Sequence, residues 1–208
     1  RQQRDTEFAQ RQAVAAQAAK SEFRAAAPCS PEHPYLQRKG VPPLADIRQD
    51  HAGALLIPIR DAVGQVQSLQ RITPEGEKRF LTGGKVHGGH FIIQGNPEKP
   101  LALCEGYATG ASIHEATGHA VACAMNAGNL LEVARALHSK YPKLRLILAA
   151  DDDAFTDGNP GITKATEAAK AVGGYLTKPN FGGQRSETET DFNDLHQRAG
   201  LDAVQVCI

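Results

Sequence analysis

Four apolar runs in the second half of the chain, Leu101 to Cys104, His119 to Met125, Leu144 to Ala150 and Gly174 to Thr177, alternate with segments of helical character at Ala108 to Thr117, Asn129 to Lys140 and Gly161 to Val172. Runs that are apolar throughout, rather than at every second residue, belong to strands buried on both faces. Strands alternating with helices predict βαβ crossovers and a parallel sheet covered on both sides. In an open parallel sheet chemistry gathers at the carboxyl ends of the strands, and those ends are the place to look for a site.

The first half has a different texture. Asp5 to Ala27 is rich in alanine and glutamine and lacks glycine and proline, which predicts a helix stopped by Pro28; its thin apolar face (Phe8, Val14, Phe23) marks a connector or a helix that needs a partner. Ser30-Pro31-Glu32 reads as a serine cap opening a short helix that ends near Gly40. Short β-like runs follow at Ala54 to Ile59, Gln65 to Thr73, Lys78 to Leu81 and His90 to Gln94, with Thr73-Pro74-Glu75-Gly76 as a turn. The expected organisation is a helix or connector over residues 1–29, a β-rich α+β subdomain over 30–97 and an α/β domain over 98–208.

With 208 residues, 41% of them apolar and 22% charged, the chain can build one good core or two small ones, which excludes a disordered polar tail. No stretch approaches the ~18 apolar residues of a membrane span, and the N-terminus lacks a signal pattern. A cytoplasmic location is expected, and the start at Arg1 suggests a piece of a longer chain. Cys29, Cys104, Cys123 and Cys207 are scattered without a C-x-x-C pair and read as buried thiols in a reducing compartment. Lysine plus arginine and aspartate plus glutamate each number 23, which argues against a histone-like wrapper. The balance is uneven along the chain: residues 1–100 hold 14 basic and 10 acidic side chains, residues 101–208 hold 9 and 13.

The acidic excess sits at strand ends. Glu105 follows Leu101 to Cys104 directly and precedes Gly106; Asp151-Asp152-Asp153 follows Leu146 to Ala150; Asp191 and Asp194 come after the fourth run, in Asp191-Phe192-Asn193-Asp194-Leu195. In an extended segment Asp151 and Asp153 point the same way. Joined by a glutamate from another strand end, they form an oxygen-only site suited to Mg2+ or Mn2+, and a cation accounts for keeping such carboxylates together. Taken singly, each has a plainer reading as a solvated strand end, an acidic loop or a helix cap. Asn159-Pro160-Gly161 opens a helix whose amides suit a nucleotide phosphate, or is an ordinary cap. No P-loop lysine motif and no G-x-G-x-x-G follows a strand, so ATPase and dinucleotide-binding readings have no support.

Leu101 to Gly106 followed by Asp151-Asp152-Asp153 resembles the Toprim domain of primases, topoisomerases and related nucleases. Glu105-Gly106-Tyr107-Ala108-Thr109-Gly110-Ala111-Ser112, Asn126-Ala127-Gly128-Asn129-Leu130, Asn159-Pro160-Gly161 and Asp191 to Leu195 narrow the resemblance to Toprim primases of plasmids, conjugative elements and prophages, over roughly residues 34 to 200. The resemblance implies a Rossmann-like parallel sheet with flanking helices. It assigns Glu105 to acid/base work or metal binding, Asp151 and Asp153 to metal, and Asp191 and Asp194 to the later acidic group of the cluster. Replicative primases usually carry an aspartate four residues after the glutamate, where this chain has Thr109. Leu55 to Asp61, Gly64 and Lys78 to Leu81 resemble the small N-terminal subdomain of the primase core, where basic residues line the groove for single-stranded template; the candidates are Arg71, Lys78, Arg79 and Lys85, unless they only protect a sheet edge with charge.

The implied activity is primer synthesis, nucleotidyl transfer from NTPs on a single-stranded DNA template. A replicative helicase, or a relaxase or helicase domain elsewhere in a longer chain, is the implied protein partner, with no membrane. A Toprim nuclease and a non-catalytic nucleic-acid-binding Toprim module are the rivals. A haloacid-dehalogenase-type phosphatase fits less well, because its aspartate pair normally follows the first strand.

Overall fold

The computed structural model describes residues 2–183 and 185–208; Arg1 and Gln184 lie outside the described residues. The chain forms two compact units, one reaching Arg38 and continuing over Pro42–Phe91, the other made of Lys39–Val41 and Ile92–Ile208.

In the first unit helix α1 (Gln2–Ala25) packs on an antiparallel sheet of β1 (Ala27–Pro28), β2 (Arg48–Gln49), β3 (Leu55–Arg60), β4 (Val66–Ile72) and β5 (Lys78–Phe80), neighbours in that order. The weak apolar face of α1 suffices because it is used locally: Ala19 and Phe23 close a core with Leu56, Val66 and Leu69. A polar pair completes the contact, with Arg71 of β4 donating Nε–H to Glu22 Oε1 at 3.0 Å and its Nη2 engaging Oε2. The N-terminal helix is therefore part of this unit. The short helix α2 (Pro34–Lys39) opens later than the Ser30 cap suggests. The Ser30 hydroxyl accepts from the Glu32 amide and its carbonyl from the His33 amide, closing a turn first, so the helix starts at the next proline.

The second unit is the expected α/β sheet. Strands β6 (Phe91–Ile93), β7 (Leu101–Cys104), β8 (Val121–Cys123), β9 (Leu146–Ala149) and β10 (Tyr175–Thr177) lie in the order β10-β9-β7-β8-β6, with β7 parallel to both β8 and β9 and β9 parallel to β10. Because β6 belongs to this sheet, the unit boundary falls before Ile92, upstream of residue 97. Helices α4 (Leu130–Lys140) and α5 (Pro160–Val172) share a core with Leu101, Leu103, Ala122, Leu146 and Leu148 on one face. On the other face α3 (Tyr107–Thr117) packs with α6 (Phe192–Ala199) and α7 (Leu201–Cys207), the last of which the apolar pattern did not announce.

Two consequences of this topology position the site. The chain leaves β7 for β8 on one side and returns to β9 on the other, so the switch point lies between the carboxyl ends of β7 and β9. Helix α3 also approaches those strands closely, since a Cβ at Gly110 would lie 2.6 Å from Cys123 Sγ and 3.3 Å from Cys104 Sγ. Gly110→Val should therefore lift α3 from the sheet and cost at least ~2 kcal/mol by overpacking. Urea unfolding of the variant checks this, and an unchanged midpoint would show that the contact tolerates bulk.

Candidate active site

The register pairs Leu103 with Leu148, so Glu105 and Asp151 leave adjacent central strands within about a residue of each other at the switch point. Both are half-buried, and Glu105 Oε1 and Asp151 Oδ1 are closed off from solvent. Asp191 joins them from the chain before α6: the Asp152 amide donates to the Thr190 carbonyl at 2.8 Å, which ties the two acidic segments side by side. Between them the Cys104 thiol is held well above its usual pKa, by its hydrogen bond to Cys123, by burial, and by the charges of Cys123, Asp151 and Asp191. It stays neutral.

Each remaining acid has a defined partner. Asp153 Oδ2 accepts from the Gly161 amide at 2.9 Å, and the Asp153 amide donates to Asn159 Oδ1 at 2.9 Å. Asn159 is in the left-handed conformation at φ 40°, one that asparagine adopts more readily than most residues, and its side chain also donates to Asp152 Oδ1 at 2.8 Å. A Cβ at Gly161 would lie 2.3 Å from the Asp151 carbonyl oxygen, so only glycine lets α5 begin against this run. The amide that sequence reading offered to a nucleotide phosphate is thus already given to Asp153.

Asp191 and Asp194 form a capping box at α6. Asp191 Oδ1 accepts from the Asp194 amide at 2.9 Å, while Asp194 Oδ2 accepts from the amides of Thr190 and Asp191 at 2.9 and 3.2 Å. Lys39 Nζ lies 3.8 Å from Asp194 Oδ1. Buried Thr109 donates its hydroxyl to Asp191 Oδ2 at 3.0 Å, so the position that departs from the replicative-primase pattern supports an acid instead of being one. Burial, then the charge of Asp194, raise the Asp191 pKa beyond what the Asp194 amide, Lys39 and Thr109 return.

The all-oxygen donor set has the chemistry of a hard divalent-cation site, and the Asp191 pKa there is raised by burial first and by the charge of Asp194 second. Among the described residues no three Asp, Glu, His or Cys side chains converge closely enough to hold a metal ion. Asp153 and Asp194 each commit an oxygen to backbone amides, and Asp191 commits Oδ1 to the Asp194 amide and Oδ2 to the Thr109 hydroxyl. Asp152, passed over as the middle residue of the run, is the most engaged: it is buried, with Lys178 Nζ 2.9 Å and Arg185 Nη1 3.3 Å from Oδ2. Lys178 follows β10 directly, so the strand-end rule would have found it; Arg185 lies in a loop with no such signal.

In the first unit the predicted basic residues divide. Arg71 is spent on Glu22, and Arg79 donates to Glu77 at 2.9 Å from an exposed position. Register places Arg79 opposite Arg71 and Lys78 opposite Ile72, so Lys78 and Arg79 face opposite ways; Lys78 and Lys85 are exposed. A basic recess of about 350 Å3 at the far end of β4 went unread in the sequence. Lys20, Arg24, Arg48 and Arg60 line it with Asp46, and the Arg48 and Arg60 guanidinium groups sit 5.0 and 5.9 Å from the Phe23 ring. It needs three elements distant in sequence.

A parallel sheet with a glutamate after one central strand and an aspartate run after its neighbour, at the switch point, defines the Toprim class. Residues 100–202 match the Toprim domain model, and the chain belongs to the Toprim family, where it groups with DNA primases of plasmid and conjugative type. Two proteins of Escherichia coli, each called DNA primase TraC, are 41% identical over 163 residues and 42% identical over 157 residues, covering 74% and 71% of this chain. The chain spans only 15% and 11% of those relatives' lengths. In fold it is similar to the DnaG primase catalytic domain bound to ssDNA, with a TM-score of 0.57 at 14% identity over 95% of this chain and 78% of that one. The primase fragment of the bacteriophage T7 primase-helicase gives 0.54 at 14% identity over 83% and 68%. Toprim primase domains are generally metal-dependent. No helix among the described residues is long and apolar enough to cross a membrane.

The Asp191 shift has a sign that can be measured. Its folded pKa lies above the unfolded value, so the stability it contributes is present at acid pH and is lost as pH rises through the folded pKa. Asp191→Asn keeps the cap acceptor and removes the charge. Between pH 4 and 7 the thermal midpoint of the unmutated chain should fall relative to that of the variant, whereas parallel curves would contradict the shift.

Proposed function

We propose that this chain is the catalytic core of a DNA primase that makes short RNA primers on single-stranded DNA by metal-dependent nucleotidyl transfer. The reading is supported by Glu105 and the aspartate run leaving adjacent central strands at the switch point of a Toprim sheet, with the Asp191 segment tied to that run, in a chain 41% and 42% identical to DNA primases over 74% and 71% of its length.

Glu105 would take the proton of the attacking ribose 3′-hydroxyl or hold a second ion. Glu105, Asp151 and Asp191, supported by Asp153 and Asp194, would hold Mg2+ or Mn2+, which when bound offsets negative charge on the transferring phosphate. Thr109 fixes the orientation of Asp191, and Asn159 with Gly161 fixes that of Asp153. Lys78, Arg79 and Lys85, with the recess of Lys20, Arg24, Arg48 and Arg60, supply phosphate contacts to template with little base selectivity. Arg71 serves α1 first and template only indirectly. A cytoplasmic setting and a helicase, separate or in a longer chain, complete the proposal; the T7 relative is itself a primase-helicase.

The chain is incubated with single-stranded DNA, labelled NTPs and manganese or magnesium, beside Glu105→Gln and Asp151→Asn. Oligoribonucleotides from the unmutated chain, reduced at least ~100-fold in both variants, are the expected result. Template cleavage without primers would assign the site to a nuclease.

A further inference from the structure

Helix α6 is fixed to α3 by a buried polar cluster as well as by apolar contact. Phe192 and Leu195 of α6 are buried, but apolar contact has no direction and lets one helix slide along another. Asn193, between the two acids of the capping box, supplies the direction. It is fully buried: Nδ2 donates to Ser112 Oγ at 3.0 Å and to the Lys39 carbonyl at 2.7 Å, and Oδ1 accepts from Gln197 Nε2 at 3.1 Å. Ser112 is fully buried as well and meets His196 Nδ1 at 3.1 Å. Both polar atoms of the Asn193 side chain are thus used, and a buried network satisfied in this way specifies one arrangement of its helices.

Thr109 and Ser112 stand three residues apart on α3 and share a face. The first bonds the Asp191 carboxylate and the second bonds Asn193, so the start of α6 is keyed to α3 at two points. Lys39 is held from another side. It belongs to the second unit although Arg38 and Pro42 belong to the first, and its carbonyl is bonded by Asn193 while its ammonium lies 3.8 Å from Asp194 Oδ1. One side chain therefore keeps in place both acids of the box and the cation facing them. An ionised carboxylate offers about four lone-pair sites, of which Asp191 gives one to Thr109 and one to the Asp194 amide, so it can still meet a cation.

We propose that Asn193 is a positioning residue: through Ser112 and Lys39 it holds the Asp191 and Asp194 pair against the aspartate run, where a divalent cation is bound. That the pair serves a cation rests on the function proposed above; the fixing of α6 by Asn193 does not.

Two readouts test this on the full chain. Amide hydrogen exchange by NMR follows the Asp152 amide, bonded to the Thr190 carbonyl, and the Asp194 amide, bonded to Asp191 Oδ1; both should exchange at least about tenfold faster in Asn193→Ala. Manganese titration followed by electron paramagnetic resonance should show affinity weakened about tenfold in the same variant. Ser112→Ala leaves Asn193 its Lys39 partner, should shift both readouts the same way by a smaller factor, and carries the test if Asn193→Ala does not fold. Leu137→Ala, in the core on the opposite face of the sheet, is the control: its thermal midpoint should fall while manganese affinity stays within about twofold. Unchanged exchange and affinity in the folded variants overturn the proposal, as does an equal loss of affinity in Leu137→Ala. If both readouts shift as expected but the unmutated chain makes no primers, the positioning role stands and the primase reading fails. If primers form while Asn193→Ala exchanges and binds manganese normally, the reverse holds; absence of manganese binding by the unmutated chain overturns both.

Discussion

Mutual repulsion among carboxylates is the constraint around which the second unit is built. Six acidic side chains, Glu105, Asp151, Asp152, Asp153, Asp191 and Asp194, come from three places in the sequence to one end of the sheet. The protein offsets their charge locally. Two helix starts give their amides to Asp153, Asp191 and Asp194, while Lys178 and Arg185 answer Asp152 and Lys39 answers Asp194. At Asp191 burial, with the charge of Asp194, outweighs that offset, and a perturbed acid in a folded site is commonly the mark of function.

The hydrophobic half of the problem is solved with little latitude. Gly110 and Gly161 each occupy a position where one added carbon would meet a sulfur or a carbonyl oxygen, so α3 and α5 are set against the strands at distances that only glycine permits. Those contacts fix where Glu105 and Asp151 emerge. The loop carrying Lys178 and Arg185 has no strand or helix between Thr177 and Phe192 among its described residues, and it is held chiefly by its bonds to Asp152.

Much of this was legible in the chain. Continuous apolar runs foretold β7 to β10, and the strand-end rule found Glu105 and the aspartates because burial and parallel pairing leave a direct trace in residue order. What escaped depends on proximity that order does not encode. Asp152 looked like a spacer until Lys178 and Arg185 were seen beside it, and Arg71 looked available for template until Glu22, 49 residues earlier, was found against it. The basic recess was hidden for the same reason. Ser30 misled in another way, since its hydroxyl and carbonyl satisfy a turn before they can serve a helix.

The burial of Phe23 and Ala19 against Leu56, Val66 and Leu69 sets where the first unit can be cut. A segment cut at Ala27 would carry the whole antiparallel sheet and yet present an open apolar flank, inviting self-association. The first unit therefore includes its leading helix, and a boundary drawn between α1 and β1 would pass through its core.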